Sequence, residues 1–418
     1  MVADEEVDVG TADSGCDRLD DDLARSGDRI LLGFDLQLPR PCRDDGDPPG
    51  FRVVSGRLHP AIVPPPFRPI GRRVRSSRFV GRSTISHGDA DVGLLTPRTV
   101  ESYLESRGLL PAGSAVEVAE LGGGISNVVL GVESADRSYV VKQSLHRLRV
   151  AEEWLAKRER AVTEARALGL AASLIPGHVP RVLDLDADRY AFTIERAPPS
   201  WRAWKDDLLA GTVHARVARR VASLLAAWHA GTRDDQAADA FADREGFEQL
   251  RIDPYYRVVA RAHPDLASTI EYHIEQLLRP GTCVVHGDYS PKNVLVGDSG
   301  LWIIDFEVAH FGNPTFDLAF MLNHLLLKAV HAPAGADGYL LCARTFWETY
   351  TAEIPGDLQP DAAATLGQVG CLMVARVDGK SPAEYLREPE RDRARALGRR
   401  LLTETPQRLD DAFRLVRA

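Results

Sequence analysis

The stretch His286-Gly287-Asp288-Tyr289-Ser290-Pro291-Lys292-Asn293 follows the apolar Cys283-Val284-Val285, and twelve residues after Asn293 comes Asp305, within Ile303-Ile304-Asp305-Phe306-Glu307. Short apolar runs at 282–285, 294–296 and 301–304 predict small strands holding loops at their ends. Asp288 and Asn293 have four residues between them. On one loop at that spacing, a carboxylate accepts the proton of an attacking hydroxyl while a neutral amide reaches magnesium without placing a second charge beside the base. Asp305, from a neighbouring strand end, would bridge that metal to nucleotide phosphates. A satisfied polar turn is the rival reading of His286 and Asp288. It does not account for an Asp, an Asn and another Asp, each flanked by apolar strands.

Two clusters upstream suit the same chemistry. Gly122-Gly123-Gly124-Ile125-Ser126-Asn127 is a glycine-rich turn of the kind whose backbone N–H groups approach phosphates. The β-branched run that follows, Asn127-Val128-Val129-Leu130-Gly131-Val132, makes it a hairpin turn and not the opening of a helix. Lys142 sits in Tyr139-Val140-Val141-Lys142-Gln143, and a lysine inside an apolar strand is costly to bury unless paired. Glu164, on the following predicted helix, would pair with it to hold the α/β-phosphates, with Glu159 and Glu152 as rival partners. Gly379-Lys380-Ser381 imitates the end of a phosphate-binding loop, but Val374 stands where the upstream glycine is required.

Around these clusters the pattern divides. Thr96-Pro97 opens a capped helix, strands follow at 116–121, 127–132 and 138–143, then a helix over 150–168 and strands at 180–185 and 190–195. Beyond the linker Ala197-Pro198-Pro199, helices are predicted at 213–230, 264–278, 315–330, 339–351 and 361–377. The expectation is an α+β, bilobal fold: a disordered extension over 1–92, a β-rich nucleotide-binding lobe over 93–197, and a mainly helical catalytic and acceptor-binding lobe over 198–418. The extension is expected because 1–50 carry 14 acidic and 5 basic residues whereas 51–90 carry 8 basic and 1 acidic, with little apolar periodicity.

The 418 residues carry a net charge of −9, which argues against nucleic acid as a partner, because phosphate neutralisation needs clustered Lys and Arg. No run of about 18 apolar residues could cross a bilayer, and the acidic N-terminus lacks the apolar core of a secretory signal, so a cytoplasmic protein without a membrane partner is expected. Five scattered cysteines, without a C-x-x-C pair, argue against a disulfide framework or a structural zinc site.

His-Gly-Asp-x-x-x-x-Asn, then Ile-Asp-Phe-Glu, then Gly312-Asn313-Pro314-Thr315-Phe316-Asp317-Leu318-Ala319 resembles the aminoglycoside phosphotransferase and choline kinase superfamily, over roughly residues 95–418. The resemblance implies a protein-kinase-like fold and ATP- and Mg2+-dependent transfer of a phosphoryl group to a hydroxyl of a small molecule. By it, Asp288 would be the catalytic base, Asn293 and Asp305 the magnesium ligands, Lys142 the phosphate-contacting lysine and Glu307 an additional metal-site carboxylate. Asp317, with His286, would support the catalytic loop. The turn at Gly122–Asn127 departs from the protein-kinase G-x-G-x-x-G but is similar to the form this superfamily uses. A nucleotide-binding pseudokinase or scaffold without turnover is the alternative, and it would be signalled by loss of a base or metal ligand that this chain retains. A protein kinase is disfavoured, since only eleven residues separate Asp305 from Asp317, too few for a long docking segment. From Pro198 onward there are 30 acidic and 25 basic residues, too mild a balance to demand a cationic acceptor. The polar interruption at 376–382 reads equally as a helix end or as part of an acceptor pocket.

Overall fold

The structure, a computed structural model, describes residues 93–122, 125–149 and 154–417; the expected extension over 1–92 lies outside them. Helix α1 (Val100–Ser106) precedes strands β1 (Glu117–Glu120), β2 (Asn127–Glu133) and β3 (Ser138–Ser144), then α2 (Arg160–Leu174), β4 (Val182–Asp186) and β5 (Ala191–Glu195). The five strands form one antiparallel sheet in the order β1-β2-β3-β5-β4. Side chains alternate across a strand, and here the alternation divides two environments. Val128, Leu130 and Val132 of β2, with Tyr139 and Val141 of β3, pack against Val100, Tyr103 and Leu104 of α1 in a core of their own. Val129, Val140 and Lys142 alternate with them in sequence and line a cleft on the opposite face.

Two expectations in this half are corrected. Helix α1 begins at Val100 and not at Thr96-Pro97, because the Thr96 carbonyl closes a turn by accepting from the N–H groups of Thr99 and Val100. The helix expected from 150 begins only at Arg160. Ahead of it the chain doubles back: Leu148 N–H donates to Trp154 O, Ala156 N–H donates to His146 O, and the Trp154 indole donates to Gln249 O at 2.9 Å. These tertiary hydrogen bonds outweigh local helix propensity.

Thereafter come β6 (Arg202–Ala203), α3 (Trp204–Leu209), α4 (Ala215–Gly231), α5 (Asp235–Ala240), α6 (Glu245–Phe247), a π-helix (Glu248–Arg257), α7 (Val258–Ala262) and α8 (Ala267–Leu278). Strand β7 (Cys283–Val285) is followed by a 3-10 turn (Pro291–Asn293), the hairpin β8 (Val294–Gly297) and β9 (Gly300–Ile303), and β10 (His310–Gly312). β7 pairs with β10 and β6 with β8, all antiparallel, so the two loops carrying Asp288 and Asp305 are anchored by short ladders. The chain closes with α9 (Thr315–His331), α10 (Ala336–Glu353), α11 (Ala362–Asp378), α12 (Glu388–Glu404) and α13 (Leu409–Arg417). Helix α9 is buried almost all round, as its nearly continuous apolar sequence requires, with α10 and α11 packed on it. The molecule is thus α+β, with one sheet-rich and one helical part. Among the described residues no helix is long and apolar enough to cross a membrane.

Helix α12 was not foreseen, because charged residues dominate it and its apolar face is narrow. It approaches α11 closely where two glycines meet. A Cβ at Gly398 would lie 3.0 Å from Gly370 O and 2.8 Å from Val374 Cγ2. Gly398→Leu is therefore expected to destabilise the protein by about 1–3 kcal/mol, the usual cost of overpacking. Urea unfolding measures it, and an unchanged midpoint would contradict this packing.

Candidate active site

The loop after β7 is fixed through its backbone. The Asp317 carboxylate, in the first turn of α9, accepts the N–H of His286 at 2.7 Å and of Gly287 at 2.9 Å, and contacts Nε2 of His229 from α4 at 3.2 Å. Burial opposes its ionisation, but the hydrogen bonds from His229 and from the His286 backbone hold its pKa below the usual carboxylate range. His286 accepts the Asp288 N–H at Nδ1 (3.1 Å), so Nε2 carries the proton and donates to Ile304 O at 3.2 Å. Both ring nitrogens are then used by a neutral imidazole, and burial lowers its pKa accordingly. Gly287 has φ +78°, and a Cβ there would lie 2.7 Å from Val308 O, so backbone conformation and space both require glycine.

Asp288 is thereby aimed into the cleft. Its Oδ2 accepts from Asn293 Nδ2 at 2.8 Å and pairs with Arg251 Nη2 at 3.1 Å, while Arg251 Nε donates to Gly287 O at 2.7 Å. Among the described residues Oδ1 has no partner. Lys292, within the same loop, is held charged: burial opposes the ammonium, and Asp288, Asp305 and Glu307 more than offset it.

Across the cleft, Lys142 Nζ donates to Glu164 Oε1 at 2.6 Å and to Asp305 Oδ1 at 2.7 Å. The structure thus brings Lys142 to Glu164, whereas Glu159 precedes α2 and accepts from Tyr190 at 3.3 Å; Glu152 lies outside the described residues. Asp305 has φ +71°, a left-handed conformation that costs an ordinary residue about 1–2 kcal/mol and that Asp tolerates better than most. Burial works against its charge, but Lys142 and Lys292 prevail and lower its pKa. Lys142 stays protonated by the converse balance. Burial pushes the Glu164 carboxyl up to about 8 against the pull of Lys142.

Glu307 ties the glycine turn to this cluster. Its carboxylate accepts from Ser126 Oγ (2.7 Å), Asn127 Nδ2 (2.8 Å) and Arg160 Nε (3.1 Å). Gly122 lines the cleft, and Gly123 and Gly124 lie outside the described residues. Glu164, Asp305 and Glu307 each bring an oxygen within 4.8 Å of the others, and Glu164 Oε2 is buried without a hydrogen-bond partner. That donor set, with the amide of Asn293 nearby, suits a hard divalent cation.

The cleft encloses about 1180 Å³. Val129, Val140, Ile194, Leu295 and Trp302 give one part an apolar lining, and Phe320, His324 and Lys328 of α9 line another. Sequence reasoning missed Arg251, Arg160 and His229. Arg251 had no local signal, because it lies on a π-helix whose faces do not follow the ordinary helical period. Phe320, His324 and Lys328 did carry one, recurring every four residues along a single face.

Buried cations and carboxylates that share one cleft suit phosphates and a divalent cation, and the class to which the family comparison assigns the chain is that of ATP-dependent small-molecule phosphotransferases. A model described as the phosphotransferase enzyme family matches residues 117–339, just over half of the chain, and the chain belongs to that family. It is 26% identical over 268 residues to a methylthioribose kinase of Geobacillus sp. (strain WCH70), covering 57% of this chain and 67% of that one. A methylthioribose kinase of Geobacillus thermodenitrificans (strain NG80-2) is 24% identical over 367 residues, covering 74% and 92%. Among solved structures, a choline/ethanolamine kinase family protein from Mesorhizobium loti is similar with a TM-score of 0.45 and 16% identity, over 76% of this chain and 99% of that one.

Because Lys142 faces two buried carboxylates, Lys142→Met is expected to destabilise the protein by about 3–5 kcal/mol, the range for breaking a buried ion pair. Adding Glu164→Gln should recover part of the loss. Chemical denaturation of both single variants and the double variant tests this, and strictly additive losses would contradict the coupling.

Proposed function

We propose that Asp288 is the general base of this phosphotransferase and that the remaining charged groups of the cleft position ATP. The observation that carries the reading is the Asp288 carboxylate, fixed at Oδ2 by Arg251 and Asn293 and open at Oδ1, in the same cleft as the Lys142–Asp305 pair. In the proposed reaction the acceptor hydroxyl gives its proton to Asp288 Oδ1 as its oxygen bonds the γ-phosphorus. The bond from that phosphorus to the bridging oxygen breaks, and ADP leaves with the electron pair. Lys142, oriented by Glu164, would contact the α/β-phosphates, and the turn from Gly122 to Asn127 would cover them. Asn293 and Asp305 would hold Mg2+, with Glu307 as a further carboxylate nearby. When bound, the metal neutralises charge developing on the phosphate oxygens. Asp317 and His286 would act only by holding the loop.

In this reading 93–197 bind the nucleotide and 198–418 supply the base and the acceptor pocket, and the reaction belongs in the cytoplasm, where ATP and Mg2+ are available together. The names of the relatives make a sugar hydroxyl a first candidate acceptor. General-base contributions are about 10²–10⁴ in rate. Asp288→Asn should therefore lower acceptor-dependent ADP release by about a hundredfold or more while calorimetry shows unchanged ATP affinity. Undiminished turnover in that variant would refute the base assignment.

A further inference from the structure

Lys328 is the anomaly of the cleft. It lies on α9, 1% exposed, and its ammonium has a single hydrogen bond, to His324 O at 3.3 Å. It also lies over the Tyr385 ring, 5.4 Å from Nζ to the ring centroid. Burial and the charges of Arg376 and Lys205 push its pKa down to about 7, with no carboxylate opposing them. Arg376 donates to Ser381 Oγ at 2.9 Å, and its Nε is buried without a partner, as is the Tyr385 hydroxyl. Among the described residues no salt bridge involves Lys205, Lys328 or Arg376, and all three line the cleft. The acidic residues on that wall, Asp206 and Glu384, are exposed and pair with none of them. His324 is held neutral by burial and by Lys328, Arg376, Lys205 and Lys292, so this cationic end adjoins the loop that carries Asp288.

An unpaired buried cation is costly, and Lys328, joined on the same cavity by the half-buried Arg376 and Lys205, makes a site that lacks its counter-charge. We propose that the acceptor is an anion, a small hydroxylated molecule carrying a carboxylate or a phosphate, whose charged group is bound by Lys328, Arg376 and Lys205 while its hydroxyl meets Asp288. This rests on the phosphotransferase reading and narrows its substrate class. A polycationic aminoglycoside or a quaternary ammonium alcohol would be repelled there, and a neutral sugar would leave Lys328 without a partner.

The test uses the purified full chain with ATP and Mg2+. Acceptor-dependent ADP release is measured with hydroxycarboxylates (glycerate, gluconate), sugar phosphates (glycerol 3-phosphate, ribose 5-phosphate), neutral ribose and methylthioribose, and cationic choline and kanamycin. Binding of the same compounds and of ATP is followed by calorimetry. One anionic arm should bind and turn over, and which arm responds tells carboxylate from phosphate. Lys328→Met and the more exposed Lys205→Gln should each raise the KM for that acceptor by about ten- to hundredfold, the scale of a lost charged hydrogen bond, with kcat at saturation largely kept. Lys328→Met should also raise the Tm, since it replaces a buried, poorly satisfied amine with an apolar side chain of similar length. Turnover of a neutral or cationic compound with KM unchanged in both variants would overturn the inference. So would ATP binding without binding of any anionic compound, and in both cases the phosphotransferase reading would stand. Failure to bind ATP would overturn that reading and this inference together.

Discussion

The arrangement depends on the ammonium of Lys142 standing between two carboxylates from different elements. Lys142 comes from β3, Glu164 from α2 and Asp305 from the turn after β9, so one buried cation fastens sheet, helix and turn at a single point. Glu307 extends the same joint to the turn before β2 through Ser126, Asn127 and Arg160. Such a cluster is tolerable only when its charges nearly cancel. Three carboxylates face Lys142 and Arg160, and burial raises Glu164 to about 8 against the pull of Lys142. A cleft so supplied with oxygen donors suits a bound cation and the phosphates that accompany it.

How far this could be read in advance differed from residue to residue. The spacing of Asp288, Asn293 and Asp305 was legible because local sequence sets the short strands and turns that carry them. The strands at 127–132 and 138–143 were legible for the same reason, and it is the folded sheet that sets Lys142 apart from Tyr139 and Val141. The partner of Lys142 was less so. Choosing between Glu164 and Glu159 needs the phase of α2, and the chain before Arg160 is held by the Trp154 indole and backbone bonds to His146 and Leu148, which no helical pattern announces. Arg251 was invisible for a related reason: a π-helix shifts its faces, and the arginine meets Asp288 across a sequence distance that local reasoning does not span.

Net charge says nothing about the charge of one cavity. A chain of net charge −9, still acidic from Pro198 onward, nonetheless places Lys328, Arg376 and Lys205 together without carboxylate partners. Averages over hundreds of residues are dominated by solvated surface groups, whereas a ligand responds to the few charges that line its cavity. The anomaly appears only once α9 and α11 are packed side by side, since Lys328 and Arg376 are far apart in sequence.

In the proposed reading Asp305, held by Lys142 in a left-handed turn, is the group through which the cleft couples nucleotide to divalent cation. Calorimetric titration of ATP, with and without magnesium, into the native protein and Asp305→Asn tests it most directly. We expect magnesium to strengthen ATP binding markedly in the native protein and to have little effect in the variant. Equal strengthening in both would contradict the account.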